Sequence, residues 1–204
     1  STQSRSSAAS DVYKRQRFVR IVLPVAPWVF ACAGAAYALL PQLLSKSASE
    51  APIAFSGLMT VITLGCGVGV QMLGKVIDTS RSARASAVAM GVITVGTILG
   101  AVASSTRSLP LGIAGAAVMG AGYGLALVAG LSEVQRIARP EELAGLTAVY
   151  YSVSYTGFFI PMAFSALAPL LGFTTLFLIG AVLALCCLVN VVLGWRAHLP
   201  GPVR

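Results

Sequence analysis

The sequence predicts an all-α membrane protein with six transmembrane helices. Hydrophobic residues fill 57% of the 204 positions, charged residues only 10%, and the mean hydropathy is +0.87. Soluble domains are about one quarter charged, so a water-soluble fold of this length could not hide so much apolar surface. The apolar residues also fall into six continuous runs of about 20 residues, the length that crosses hydrocarbon as a helix. Backbone groups in lipid must be paired internally, which leaves helices or a closed barrel. Barrel strands alternate polar and apolar residues in short segments, and these runs do not. The clearest case is a hairpin: an uncharged run over about 109–131, a charged reversal over 132–142, and a second uncharged run that continues past Pro161.

Residues 1–16 are expected to be a non-native or disordered leader. Asp11-Val12-Tyr13-Lys14-Arg15-Gln16 resembles the translation of a transposon end used in preparing sequencing libraries, which places the native start near Arg17 in a truncated gene. A natural basic linker is the alternative. The six-helix domain is expected over 17–197, with spans at about 21–44, 52–73, 85–103, 109–131, 143–170 and 173–195.

Pro24, Pro27 and Pro41 should kink the first span, and Trp28 can anchor it at an interface. The second span carries Gly57, Gly65, Gly67 and Gly69, which lack the context of a nucleotide loop and suit close helix approach. Gly96 and Gly100 give the third span the same chemistry. In the fourth, Gly112, Ala116, Gly120 and Gly124 recur every four residues and make one smooth side. The fifth is the most polar, with Tyr150, Tyr151, Ser152, Ser154, Tyr155 and Thr156, and Pro161 should bend it. Asn190 in the sixth is expected to hydrogen-bond a neighbouring helix. Residues 198–204 form a short tail.

Fourteen basic residues against six acidic ones give a net charge of +8. With six spans both termini share a side, and that side holds 12 of the 14 bases, Lys46 and Arg107 being the exceptions. Bases gather on the cytoplasmic side, so both termini are expected in the cytoplasm of a multi-pass inner-membrane protein. The charge then reads as topology and lipid contact, with no module for nucleic acid. Cys32, Cys66, Cys186 and Cys187 all lie in apolar runs as small hydrophobes, and His198 is the only histidine, so no metal site and no cofactor are expected.

Gly74-x-x-x-Asp78-x-x-Arg81-x-x-Arg84 resembles the basic loop of the major facilitator superfamily, a group of secondary transporters. Gly130-Leu131-x-Glu133-Val134-Gln135-Arg136-Ile137-Ala138 and Leu143-Ala144-Gly145-Leu146-Thr147-Ala148-x-Tyr150-Tyr151 resemble the tenth-to-eleventh helix region of actinobacterial-type members. The resemblance covers Arg17 to Arg204 and implies the C-terminal half of a twelve-helix transporter, built as two inverted three-helix repeats. Its partners would be the bilayer, a missing N-terminal six-helix half and a small-molecule solute held near mid-membrane between the halves. Spans one and four would line that cavity, two and five flank it, and three and six face lipid.

Tyr37, Tyr123, Tyr151 and Tyr155 are the cavity candidates, because an aromatic face with a hydroxyl can stack on a solute and hydrogen-bond it. Plain helix packing is the alternative for each. The resemblance makes Gly74, Asp78, Arg81 and Arg84 a conformational loop, with Asp78 latched to a helix N-terminus of the missing half. The alternatives are a solvated carboxylate and arginines that only set orientation. Glu133 and Arg136, three apart, are expected to form a cytoplasmic ion pair, with a gate as the other role.

No ionisable residue lies deep within a span, so a coupling proton would be relayed by the absent half. That suits an uncharged or amphipathic solute and points to efflux. An intramembrane hydrolase needs a base beside its nucleophile, and none is present, so no enzyme is expected. A self-contained six-helix scaffold or binding subunit is the remaining alternative to half of a secondary transporter.

Overall fold

A computed structural model of the chain describes residues 12–48, 51–78 and 82–194. Arg81, Trp195, His198, the 198–204 tail and residues 1–11 lie outside them. The described residues form an all-α fold with six helices long and apolar enough to cross a membrane. These are α1 (Val12–Leu44), α2 (Pro52–Ile77), α3 (Arg84–Thr106), α4 (Leu109–Ile137), α5 (Leu143–Leu171) and α6 (Phe173–Gly194). Their ends depart most from the expected runs in two places, while α2 also runs on to Ile77 and α3 to Thr106. The first helix starts at Val12, so residues 12–16 continue it. The fourth runs on to Ile137, so Glu133 and Arg136 lie on its last turns.

Proline and capping explain most of the boundaries. Pro52 and Pro110 open α2 and α4, where a missing N–H costs nothing. The Ser108 hydroxyl accepts from the Leu111 amide at 3.5 Å. Arg107 ends α3 in the left-handed region, at φ 56°, and its guanidinium donates to the Leu43 carbonyl at the end of α1, at 2.7 Å. Gly172 turns α5 into α6 at φ +76°, where a side chain would be strained. In α1 the backbone widens to π turns at Phe18–Val22 and Ala35–Leu39. Each wide turn holds the carbonyl, of Arg20 or Tyr37, that the proline four residues later leaves without its usual donor. The Asn190 side-chain amide donates to the Arg20 carbonyl at 2.8 Å.

The helices pack most closely across the two halves of the chain. A Cβ at Gly120 would strike the Thr63 carbonyl, and one at Gly124 the Gly67 carbonyl, so α2 and α4 meet backbone to backbone. In the same way Gly157 of α5 meets the Pro27 carbonyl and the Ala31 nitrogen of α1, and Gly34 meets the Pro161 ring. The smooth side of α4 therefore receives α2, with Gly112 against Leu44 and Met59. On α2 only Gly67 and Gly74 sit at a contact, whereas Gly57, Gly65 and Gly69 face open space, against the expectation that all four midspan glycines serve helix approach.

α3 is wedged between α4 and α6, with Gly96 on Met119, Gly100 on Phe177, and the Thr174 hydroxyl donating to Ser104 at 3.0 Å. It is as deeply buried as α1, which corrects the expectation that the third span mainly faces lipid. The outward faces are apolar. They include Ile53, Val61 and Met72 on α2, Phe159, Met162 and Leu170 on α5, and Val182 and Leu193 on α6. Water would penalise such a surface, and hydrocarbon does not.

Candidate functional site

Two features stand out from this apolar body, one at the end where α1 begins and one on its side. At the end, α1, the close of α2 and the close of α4 bring four charged side chains together. The Arg17 guanidinium donates to both oxygens of Glu133, Nε to Oε2 at 2.8 Å and Nη2 to Oε1 at 3.0 Å, and both side chains are buried. Arg136 donates one nitrogen to Glu133 and the other to both oxygens of Asp78 at 2.9 Å. It also reaches the Ser82 carbonyl at 3.5 Å. Two cations thus face two anions in an alternating chain, Arg17–Glu133–Arg136–Asp78, with Asp78 and Arg136 partly open to the surface. Forked guanidinium–carboxylate pairs fix orientation as well as charge.

Glu133 and Arg136 are therefore paired, but within a larger cluster. The Asp78 carboxylate is engaged inside this chain, where a latch to another half or a solvated loop position had been expected. Gly74 lies buried against Val128 and Leu125 and lets the end of α2 approach α4. Arg84, the first residue of α3, is exposed. Arg17 was missed as a functional residue because, beside Lys14, Arg15 and Arg20, it reads as one more topology-setting base.

On the side of the bundle the rings of Phe30, Tyr123, Tyr151, Tyr155 and Phe158 make a continuous patch across α1, α4 and α5. Phe30 stacks on Tyr155 with centroids 5.0 Å apart and on Phe158 at 4.7 Å. Tyr123 lies 6.1 Å from Phe30 and covers Gly67. Tyr151 is 6.2 Å from Tyr155. Tyr155 is 53% exposed and Phe158 43%, so the patch opens outward. Three of the four candidate tyrosines come together here, while Tyr37 is half-buried and outside these ring contacts. Phe30 and Phe158 were missed because a phenylalanine in an apolar run gives no signal of its own. Tyr150 has a structural part: it is buried, and its hydroxyl donates to the Ala126 carbonyl at 3.1 Å, tying α5 to α4.

Among the described residues no group of three or more His, Cys, Asp or Glu side chains is placed to hold a metal. Six apolar spans and a charge cluster at one end define a multi-pass membrane protein. Compared with protein-family models, curated proteins and solved structures, the chain matches none.

Proposed function

We propose that this chain is the C-terminal six-helix half of a major facilitator superfamily secondary transporter. It would move a small uncharged or amphipathic solute across the cytoplasmic membrane by alternating access. The observation that carries the reading is the pairing of the close seams. The second helix of the first triplet, α2, packs backbone-close on α4, the first helix of the second triplet. The second helix of that triplet, α5, packs equally close on α1. Such a crossed exchange is what two inverted three-helix repeats are expected to make.

The aromatic patch supports the same reading. It spans α1, α4 and α5, the helices expected to line and flank a cavity, and it brings hydroxyl-bearing rings to an open face. The charge cluster would close the cytoplasmic end of this half, and its partly open members, Asp78 and Arg136, would exchange partners during rocking.

The test begins with orientation. A tag in the 45–51 turn is expected outside the cell and one in the 139–142 loop inside. A tag at 45–51 found in the cytoplasm overturns the topology. The chain is then joined to its upstream coding sequence and assayed for efflux of a neutral amphipathic fluorescent dye. Loss of a single aromatic stack corresponds to about 0.5–1.5 kcal/mol, so Tyr155→Ala should slow efflux roughly 2- to 10-fold with insertion unchanged. Normal efflux by both Tyr155→Ala and Tyr151→Ala would remove the patch from the site. Six upstream spans are expected, and a start codon just before Arg17 would favour a self-contained scaffold.

A further inference from the structure

The seam between α1 and α6 is open along part of its length. At the charged end of the bundle it forms a groove of about 1100 Å³ between Val19, Arg20 and Pro24 of α1 and Cys186, Cys187 and Asn190 of α6, with Arg15 one turn further out. Deeper along the same two helices lies a second hollow of about 180 Å³, between Trp28 and Ala31 of α1 and Gly180 and Leu183 of α6, with Ile160 and Phe164 of α5 and Thr97 of α3 completing its wall. The lining positions recur every three or four residues on both helices, so the two hollows share one line along the seam. Its wall is apolar along most of its length, and its charge is at the mouth.

The arginines at the start of α1 are divided by face. Arg17 turns inward to Glu133. Arg15 and Arg20 are exposed at the groove, with no ion pair among the described residues. The bond from Asn190 to the Arg20 carbonyl holds α6 in register with α1, so the groove is formed before anything occupies it.

We propose that this groove binds an anionic glycerophospholipid from the leaflet at the charged end. The phosphodiester sits at the Arg20 guanidinium. One acyl chain lies along Pro24 and Cys186 toward the deeper hollow. The occupant follows from charge and surroundings: a negative headgroup complements bases at headgroup level, and the only abundant molecule that also offers an apolar tail there is lipid. The site does not depend on the chain being part of a transporter.

The test uses the whole chain, purified in mild detergent and stripped of lipid, then titrated with phosphatidylglycerol or phosphatidylcholine and read by native mass spectrometry. Phosphatidylglycerol should bind more tightly. Arg20→Gln should weaken it about fivefold, the loss expected for one base near a lipid surface. Arg139→Gln, which removes the same charge from the α4–α5 loop, should leave it unchanged. Cys186→Trp, at an exposed position, should fill the groove and weaken binding with no change of charge. Equal binding of the two lipids overturns the site. So does an Arg139→Gln loss as large as that of Arg20→Gln, or a Cys186→Trp chain that binds as the parent does.

Discussion

Helices α4 and α6 are both uncharged through the membrane, yet they are held in different ways. α6 is the most apolar of the six spans, and much of it, including Val182, Leu183 and Leu193, is exposed. α4 is less apolar, yet half of it is buried, with buried residues along its length from Gly112 to Ile137. In water the order would be reversed. Lipid tails are as apolar as leucine, so apolarity gives a membrane helix no reason to leave them. Small residues and polar partners give that reason. α4 has both, in Gly120, Gly122 and Gly124 and in Glu133 and Arg136. α6 closes on α3 through Phe177 and Thr174, but toward α1 it offers mostly cysteines and leucines, with Gly180, Gly194 and a single asparagine.

The contrast is broken hardest at the charged end of α4. Glu133→Gln takes from Arg17 the carboxylate that both of its fork nitrogens contact. Removing one partner of a buried ion pair costs about 3–5 kcal/mol, because the other charge stays desolvated. Denaturant-induced unfolding in mixed micelles should report a loss of that size. A loss below about 1 kcal/mol would mean that the cluster orients α4 without fastening it.

A smaller but still large effect is expected in the middle of the helix. Gly124→Leu drives a side chain into the Gly67 carbonyl, and backbone cannot yield as a side-chain tip does. Overpacking of this kind costs about 1–3 kcal/mol, occasionally more. Gly65→Leu is the matched control, since a Cβ at Gly65 meets open space. The same unfolding assay should separate the two variants clearly. If both are equally damaging, the glycines act through helix propensity and the close seam is not what holds α2 to α4.

The pattern of residues made some of this legible and hid the rest. The six runs, the smooth side of α4 and the partnership of Asn190 could be read directly, because span length, a four-residue repeat and a lone amide in an apolar run each have one physical meaning. The glycines of α2 could not be sorted in the same way. Gly65, Gly67 and Gly69 look alike in sequence, and only the rotation of α2 against Tyr123 decides that Gly67 alone meets α4. Local spacing paired Glu133 with Arg136, but no local rule connects Glu133 to Arg17, 116 residues away. The aromatic patch was half visible. Tyrosines announce themselves by their hydroxyls, whereas Phe30 and Phe158 acquire a place only when α1 and α5 cross.

The smallest effect belongs to α6. Asn190→Leu keeps the size of the side chain and removes one hydrogen bond, to a carbonyl that Pro24 had already deprived of its helical donor. Hydrogen bonds between membrane helices average about 0.6 kcal/mol and reach about 1.7, because the separated helix finds other partners. Unfolding should therefore barely register the change. Maleimide labelling of Cys186 should register it, since α6 would be freer to move away from α1 and that thiol lines the groove between them. A loss matching that of Glu133→Gln would mean that α6 depends on this one amide as fully as α4 depends on its charges. The two helices would then differ only in where their fastening lies.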